Sequence, residues 1–309
     1  MNLDFSDIKV LVIGDFMIDH YIIGESNRMS PEAPVPVVVP KKEYSIPGGA
    51  GNVAMNISSM GSQVTCIGAI GDDIFGEKLI KIFSENNICS KYIEIITNYS
   101  TTLKQRIYCN GIQVVRVDKE EPLNWNPNQT DSLLDYSDYD IIVLSDYDKG
   151  VLKRPWFIKP KGINVILDPK NKGHEHLFMH SNIITPNLNE LKKLSGMNIN
   201  NNDSIINACN KLIEKNNFEF IIAKKGDKGM TVVGKQKFIK HIDPHSVDSP
   251  DVTGAGDTVI AALSIAYAKT NDIEYSAEFA NAAASIAVGK TGTASVTIDE
   301  INNYIGLNR

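Results

Sequence analysis

The sequence predicts an α/β fold in three layers, with a mostly parallel central sheet between helices and a small additional β-sheet. Three observations lead to this prediction. The chain has 309 residues, 42% of them hydrophobic, which is enough for a large core. Six short runs rich in β-branched residues are almost entirely apolar, as is typical of strands covered on both faces. Longer helical patterns separate most of these runs, as in successive strand–helix–strand units.

Strands and helices alternate along most of the chain. The predicted strands of the central sheet are residues 9–13, 64–70, 141–145, 165–168, 183–186 and 220–224. The predicted helices are residues 52–60, 76–87, 188–195, 204–216, 256–269 and 275–289. We therefore expect a single domain that spans residues 1–309.

Two stretches interrupt this alternation, because their strands follow one another without a helix. Residues 16–46 and 92–117 alternate apolar and polar side chains, which indicates a sheet with one solvated face. We interpret them as segments of a β lid that covers a substrate or pairs with a second copy of the chain, giving a homodimer. Ordinary edge hairpins without a function are the alternative.

Charge and cysteine content argue against several classes of protein. The formal net charge of −6 disfavours a partner such as nucleic acid. The cysteines show no CxxC spacing, so we expect small buried side chains in a reducing compartment at Cys66, Cys89, Cys109 and Cys209. The N-terminus does not resemble a signal peptide, and no apolar run approaches the roughly twenty residues that span a bilayer. We expect a cytoplasmic protein with no membrane partner.

The strongest chemical signal is the run Asp251-Val252-Thr253-Gly254-Ala255-Gly256-Asp257 at the start of a predicted helix. Gly254, Ala255 and Gly256 allow backbone N–H groups to converge where the helix dipole favours an anion. Asp257 beside this cradle could accept the proton of a hydroxyl that attacks a bound phosphoryl group. A glycine-rich turn with Asp257 as a favourable charge at the helix start is the alternative.

Further candidate ligand-binding residues lie near the N-terminus. Asp15 and Asp19 follow the first predicted strand, at the edge where open α/β sheets bind ligands, and their carboxylates could accept hydrogen bonds from ligand hydroxyls. Gly48 and Gly49 allow the backbone to approach a ligand closely, and the Asn52 amide can donate and accept hydrogen bonds. For Asp15, a role as a turn-forming aspartate is the alternative.

Two of these motifs resemble those of the ribokinase-like (PfkB) carbohydrate kinases. Residues 251–257 resemble the signature of that family, and residues 48–52 resemble its N-terminal sugar-site motif. This resemblance implies that Gly48, Gly49 and Asn52, together with Asp15 and Asp19, bind the hydroxyls and ring of a sugar. Residues 27–37, 144–150, 168–170, 185–190 and 279–293 are similar to the kinase domain of the heptose 7-phosphate kinase/adenylyltransferases. The resemblance covers nearly the whole chain and implies a ribokinase-like fold.

The resemblance also implies a function. It predicts ATP-dependent phosphorylation of the anomeric O1 of D-glycero-D-manno-heptose 7-phosphate, a step toward ADP-heptose and lipopolysaccharide. Because the chain stops where an adenylyltransferase domain would begin, we expect a stand-alone kinase and a separate adenylyltransferase in the pathway. A ribokinase-like kinase for another sugar, sugar phosphate or nucleoside, and a non-catalytic sugar-sensing protein, are the alternatives.

The resemblance further implies sites for ATP and metal ions. Asn187 and Glu190 would hold Mg²⁺ through water, although an acidic charge at a helix start is the alternative for Glu190. Residues implied to bind the nucleotide are Lys225, Gly226, Gly229 and Asn281; for Asn281 the alternative is a helix-surface amide. Candidate ligands for a monovalent cation such as K⁺ are Asp251, Thr253 and Ser295.

A phosphate on the substrate needs a cationic partner under a closed lid. The candidates, beside Arg28 and Lys149, are Lys104, Arg106, Arg116 and Lys170. Arg106 and Arg116 rank first because arginine binds phosphate in a bidentate manner. For any one of them, a solvated surface charge is the alternative. We do not expect a metal site at His174, His176 and His180, since no further ligand accompanies them in their predicted loop.

Overall fold

The computed structural model describes residues 4–127, 134–170, 173–244, 252–290 and 292–307. A nine-stranded sheet consists of β1 (Lys9–Gly14), β4 (Gln63–Gly71), β5 (Cys89–Ile96), β8 (Ile141–Ser145), β9 (Asn164–Asp168), β10 (Ile183–Ile184), β11 (Phe220–Lys224), β12 (Met230–Gly234) and β13 (Ile239–Ile242). The helices are α1 (Ala50–Ser59), α2 (Ile74–Glu85), α3 (Leu188–Ser195), α4 (Asn202–Asn216), α5 (Ala255–Thr270), α6 (Ile273–Val288) and α7 (Ile298–Leu307). A separate four-stranded sheet, the lid, consists of β2 (Phe16–Glu25), β3 (Val39–Gly49), β6 (Thr102–Cys109) and β7 (Ile112–Lys119).

The large sheet has the order β13-β12-β11-β10-β9-β8-β1-β4-β5. The strands from β11 to β5 run parallel, and only the edge hairpin β12–β13 is antiparallel to its neighbours. Both faces carry helices, because Val10 and Val12 pack in one core with α1 and α5, whereas Leu11 and Ile13 pack in another with α3 and α4. This explains the continuous apolar character of the parallel strands.

The predicted α/β fold is confirmed, and all six predicted strands and six predicted helices are present with small shifts at their ends. The start of α2, for example, is two residues earlier than predicted because the Asp73 side chain accepts hydrogen bonds from the backbone of Phe75 and Gly76. The β12–β13 hairpin and α7 were not predicted.

The lid has the strand order β3-β2-β6-β7, and its members differ partly from those predicted. Residues 92–96 belong to β5, which pairs with β4 at the edge of the large sheet. An edge strand of the large sheet is half solvated and therefore shows the same alternation as a lid strand. Val35 to Val38 form no strand beyond the single bridge between Met29 and Pro36.

The lid has a polar face and an exposed edge strand that carries apolar side chains. The strand register places Asp19 beside Lys104 and Tyr21 beside Arg106, so these polar and aromatic side chains share one face. On β7, an edge strand exposed along its whole length, Val115 and Val117 are 44% and 49% exposed. The lid therefore has one polar face and an apolar edge.

Three of the four cysteines are buried as predicted, but Cys89 is exposed because it begins the edge strand β5. None of the helices in the described ranges is long and apolar enough to cross a membrane.

Candidate active site

The glycine-rich run ends at the first turn of α5, as predicted. Gly254 is the N-cap residue and has a left-handed φ of 78°. A Cβ atom at this position would lie 2.8 Å from Asn52 Nδ2 and 3.0 Å from Thr293 Cγ2. Only glycine therefore fits both the backbone conformation and the space at this helix start. The Ala255 N–H donates to the Val252 carbonyl at 3.3 Å, just before the helix. The N–H groups of the first turn have no acceptor within the helix itself, which is suitable for an anion.

Asp257 is only 5% exposed and receives a hydrogen bond on each carboxylate oxygen. The Tyr147 hydroxyl donates to Oδ1, and Asn52 Nδ2 donates to Oδ2 at 2.8 Å. Burial raises the pKa of the Asp257 carboxyl to about 6, although both hydrogen bonds oppose this shift. Asp257 is therefore ionised at neutral pH, and its pKa is closer to that of a useful proton acceptor than an ordinary aspartate's.

Asn52 is held in place by the next turn of α1. Asn56 Nδ2 donates to the Asn52 carbonyl and to Asn52 Oδ1, at 3.0 and 3.2 Å. Asn56 Oδ1 in turn accepts the N–H of Val296. The hydrogen bond from Asn52 orients Asp257. Sugar binding by Asn52 stays a prediction.

Asp15 anchors the loop that follows β8. Its Oδ2 accepts the backbone N–H groups of Tyr147 and Lys149, at 2.9 and 3.0 Å, and its Oδ1 accepts that of Val151 at 3.0 Å. Burial raises the pKa of this carboxyl to about 6, against the effect of these amides. The contacts give Asp15 a role in positioning Tyr147, and sugar binding by Asp15 remains a prediction.

Asp19 and Arg106 form an ion pair on the polar face of the lid. Arg106 Nη1 lies 2.6 Å from Asp19 Oδ1, and Thr293 Oγ1 donates to Asp19 Oδ2 at 3.2 Å. Gly48 packs against the same carboxylate, since a Cβ there would be 2.8 Å from Asp19 Oδ2. Gly49, which has a φ of 57°, is the N-cap of α1. Because its charge is already balanced, Arg106 is a weaker phosphate ligand than its residue type suggests.

Lys104 of lid strand β6 and Lys170, two residues after β9, both approach Tyr147, and each ammonium is 5.4 Å from the centre of the Tyr147 ring. Neither ammonium forms an ion pair with a carboxylate of the described residues. Burial lowers the pKa of Lys104. These two lysines are the basic candidates that the structure brings to Tyr147, next to Asp257.

The other basic candidates are engaged elsewhere or exposed. Arg116 is half exposed and forms two contacts with Asp118, at 2.9 and 3.0 Å. Lys149 Nζ lies 2.6 Å from Glu120 Oε2, and Arg28 is exposed. Bidentate geometry alone favours Arg106 and Arg116 as phosphate ligands. Because a carboxylate already pairs with each arginine, the structure instead favours Lys104 and Lys170.

Asn187 and Glu190 form a capping box at the start of α3. Asn187 Oδ1 accepts the Glu190 N–H at 2.9 Å, and Glu190 Oε2 accepts the Asn187 N–H at 2.8 Å. Burial and the charge of Asp168 raise the pKa of Glu190. The charges of Asp168, Glu190 and Asp257 raise the pKa of the Lys224 ammonium, and the charge of Lys170 also acts on Glu190. Three carboxylates against these two ammonium groups fit a magnesium ion held mainly by water and nucleotide phosphates.

The predicted nucleotide-binding residues lie around the β11–β12 turn and on α6. The Lys225 N–H donates to the Gly229 carbonyl at 2.8 Å, and Gly226 has a φ of 64°. Gly229 must lack a side chain because a Cβ would be 2.1 Å from the Ile242 carbonyl. Asn281 Nδ2 donates to the Asp243 carbonyl at 2.9 Å, so this amide holds a loop at the end of β13. A role of these residues in nucleotide binding stays a prediction.

The candidate monovalent-cation ligands are only partly described. Asp251 lies outside the described residues, whereas Thr253 and Ser295 lie within them. The Ser295 carbonyl accepts a hydrogen bond from Lys290 Nζ at 2.8 Å. Potassium binding remains a prediction.

The three histidines of residues 174–180 have separate partners. His174 Nδ1 is 2.7 Å from Asp146 Oδ2, His176 Nε2 is 3.0 Å from the Leu152 carbonyl, and the ring of His180 accepts the N–H of Lys159 at 3.3 Å.

Sequence reasoning missed two residues of this site, Tyr147 and Lys224. Tyr147 directly follows Asp146 after β8, inside the stretch 144–150 that resembles the heptose kinases, so the resemblance could have identified it. Lys224 is the last residue of a predicted strand, and the residues around it in the sequence do not indicate that its ammonium lies near α5.

Known proteins match this chain both in sequence and in fold. The model of the pfkB family carbohydrate kinases matches residues 7–300. The bifunctional protein HldE of Nitratiruptor sp. is 38% identical over 96% of this chain, and the chain spans 64% of that protein. Arabidopsis thaliana ribokinase complexed with ribose and ATP has a TM-score of 0.79 at 21% identity, covering 96% of this chain and 98% of its own. Phosphofructokinase-2 of Escherichia coli in complex with potassium has a TM-score of 0.76 at 20% identity, covering 98% and 99%.

Proposed function

The chain belongs to the pfkB family of carbohydrate kinases, and on this basis we propose that it transfers the terminal phosphoryl group of ATP to O1 of D-glycero-D-manno-heptose 7-phosphate. The observation that carries the proposal is the buried Asp257 carboxylate at the glycine-lined start of α5. The choice of substrate is supported by the motifs that resemble the heptose 7-phosphate kinases and by the 38% identity to HldE.

In the proposed reaction, Asp257 accepts the proton of the O1 hydroxyl. The O1 oxygen then forms a bond to the terminal phosphorus, while the bond from this phosphorus to the bridging oxygen breaks and ADP leaves. The backbone N–H groups of Gly254, Ala255 and Gly256 stabilise the negative charge on the transferred group. Tyr147 and Asn52 orient the carboxylate through the hydrogen bonds that they donate to it.

Magnesium would be held near Asn187 and Glu190, largely through water, and would offset charge on the triphosphate. The three carboxylates of Asp168, Glu190 and Asp257 outnumber the two ammonium groups of Lys224 and Lys170 that act on them, which supports the presence of a further cation there. The capping box with Asn187 fixes the position of Glu190 at the start of α3.

Lys104 and Lys170 are proposed to bind the phosphate that the substrate already carries. Both lie close to the Tyr147 ring, whose hydroxyl reaches Asp257. A sugar with O1 at Asp257 and a phosphate at its other end would bring the phosphate toward these lysines. Two charged donors without a carboxylate partner among the described residues are suited to a dianion.

Replacing Lys104 or Lys170 by methionine is expected to raise the KM for the sugar phosphate about tenfold, because each variant loses a charge-assisted hydrogen bond to the phosphate. The KM for ATP should stay within about twofold for Lys104→Met, because Lys104 lies on lid strand β6 and the proposed magnesium residues lie at the start of α3. Steady-state kinetics with each substrate varied in turn measures both effects. Lys41→Met is a control in lid strand β3, where Lys41 is exposed and pairs with Glu25. An equal increase in both KM values would contradict the assignment.

A panel of sugars and sugar phosphates tests the substrate itself, with NMR identification of the phosphorylated position. The proposal expects the highest kcat/KM with heptose 7-phosphate and a phosphate at C1. A preference for an unphosphorylated ring, such as ribose, would favour the alternative kinase activities. An absence of ATP consumption that depends on sugar and magnesium, across the whole panel, would favour a non-catalytic protein.

The lid is proposed to form a homodimer with a second copy of the chain. Its edge strand β7 is exposed throughout and carries Val115 and Val117 without a cover. Pairing or packing with another lid would bury this edge and its apolar side chains. Sedimentation analysis should give the mass of a dimer, whereas a monomer at micromolar concentration would refute this arrangement.

A further inference from the structure

Lys224 is a buried lysine at the end of β11, and its side chain is only 13% exposed. Its ammonium lies 2.6 Å from Asp168 Oδ1, which also accepts a hydrogen bond from Thr185 Oγ1 at 2.8 Å. On the other side, a Cβ at Gly256 would lie 3.4 Å from Lys224 Nζ. The ammonium therefore lies between the carboxylate of Asp168 and the first turn of α5.

The backbone around Lys224 fixes this position. The Lys224 N–H donates to the Pro186 carbonyl at 2.9 Å, and Lys224 forms a parallel bridge with Asn187, the N-cap residue of α3. The same residue is thus tied by its backbone to the capping box and by its side chain to the glycine-rich cradle. A cation on such a rigid element is well placed for a ligand that extends between the two.

The surroundings of Lys224 keep it charged. Burial alone would lower its pKa, but the carboxylates of Asp168, Glu190 and Asp257 outweigh burial and raise it. An ammonium has three N–H donors, of which Asp168 accepts one in this structure. Lys224 therefore has donors left for a second anion on the side of Gly256.

We propose that Lys224 is a catalytic residue whose ammonium contacts the terminal phosphoryl group of ATP at the start of α5 and stabilises it during transfer. This inference rests on the proposed function, because it requires the phosphoryl group to bind at Gly254, Ala255 and Gly256. Charge that develops on a transferred phosphoryl group is stabilised most by fixed positive groups in a site that excludes water. The competing explanation is that Lys224 only balances the charge of Asp168.

A double-mutant cycle separates the two explanations. Lys224→Met is expected to lower kcat about tenfold to a hundredfold, the loss of a hydrogen bond to a charged group. If Lys224 contacts the phosphoryl group, adding Lys224→Met to Asp168→Asn should lower kcat by a similar factor. If adding Lys224→Met to Asp168→Asn leaves kcat unchanged, Lys224 is only a counterion and the proposal is overturned. Lys240→Met is the matched control, because Lys240 lies two strands away on the edge strand β13, where it pairs with Glu274 and Glu278 of α6.

Nucleotide affinity provides a readout that does not depend on the sugar. Isothermal titration calorimetry with magnesium present measures the affinities for ATP and for ADP. The ratio of the ATP affinity to the ADP affinity should be about tenfold lower in Lys224→Met than in the wild type. An unchanged preference would overturn the role of Lys224, even if heptose phosphorylation were observed. Conversely, a wild-type protein that binds ATP but does not phosphorylate the heptose would contradict the proposed substrate, while the calorimetry would still decide the role of Lys224.

Discussion

Replacing Asp257 by asparagine is expected to lower kcat by about a hundredfold or more, because the variant cannot accept the proton of the attacking hydroxyl. Asparagine has nearly the same shape, so the helix start should remain, although the amide nitrogen cannot accept one of the two hydrogen bonds that the Asp257 carboxylate receives. Steady-state turnover measures the loss, and calorimetry should find ATP affinity within about threefold of wild type.

The pH dependence gives an independent test of the same residue. Since burial raises the pKa of Asp257 to about 6, the wild-type kcat/KM should rise with pH through about 6, as the carboxyl loses its proton. This acid limb should be absent from the residual activity of Asp257→Asn. The matched control is Asp203→Asn, which removes an exposed acidic charge from the first turn of another helix, α4. Turnover of Asp257→Asn close to that of the control would rule out the role of Asp257 as the base.

Much of the fold was predictable because its signals are local. Apolar strands such as β8 and the cap of α3 depend on neighbouring residues, so the sequence indicates both. The glycine-rich run before α5 was also recognisable, since a helix start that binds an anion requires glycine at adjacent positions. The strand β5 was assigned to the wrong sheet because periodicity reports half-solvation but does not identify the partner strand.

The partners of the site residues were not predictable from local patterns. Asn52 and Asp257 are 205 residues apart, and Tyr147 and Asp257 are 110 apart, yet each pair is joined by a side-chain hydrogen bond. The residue type of Arg106 predicts a phosphate ligand, but in the structure its guanidinium pairs with Asp19. The residue types at a site can thus be predicted, whereas their division between ligand binding and mutual positioning depends on the three-dimensional contacts.

Gly254→Ala is expected to lower kcat about a hundredfold, although it adds only a methyl group. That methyl group would lie 2.8 Å from Asn52 Nδ2, which donates to Asp257, and 3.0 Å from Thr293 Cγ2. Asn52 must move, and the carboxylate and the backbone N–H groups of the helix start lose their alignment. A displacement of about 1 Å at a catalytic group can reduce the rate by about a hundredfold. Turnover and the midpoint of thermal unfolding should be measured on the same preparation.

Stability must be separated from alignment, because alanine at a φ of 78° is strained by about 1 kcal/mol in any helix cap. Gly196→Ala provides this control: Gly196 follows α3 with a φ of 68°, and a Cβ there meets no atom within 4 Å. Gly196→Ala should therefore show the loss of stability due to backbone strain alone, whereas Gly254→Ala adds the displacement of Asn52, and only Gly254→Ala should lose turnover. If the two variants kept equal kcat, the spacing between Gly254 and Asn52 would not matter for catalysis, and the helix start would not be the site of phosphoryl transfer.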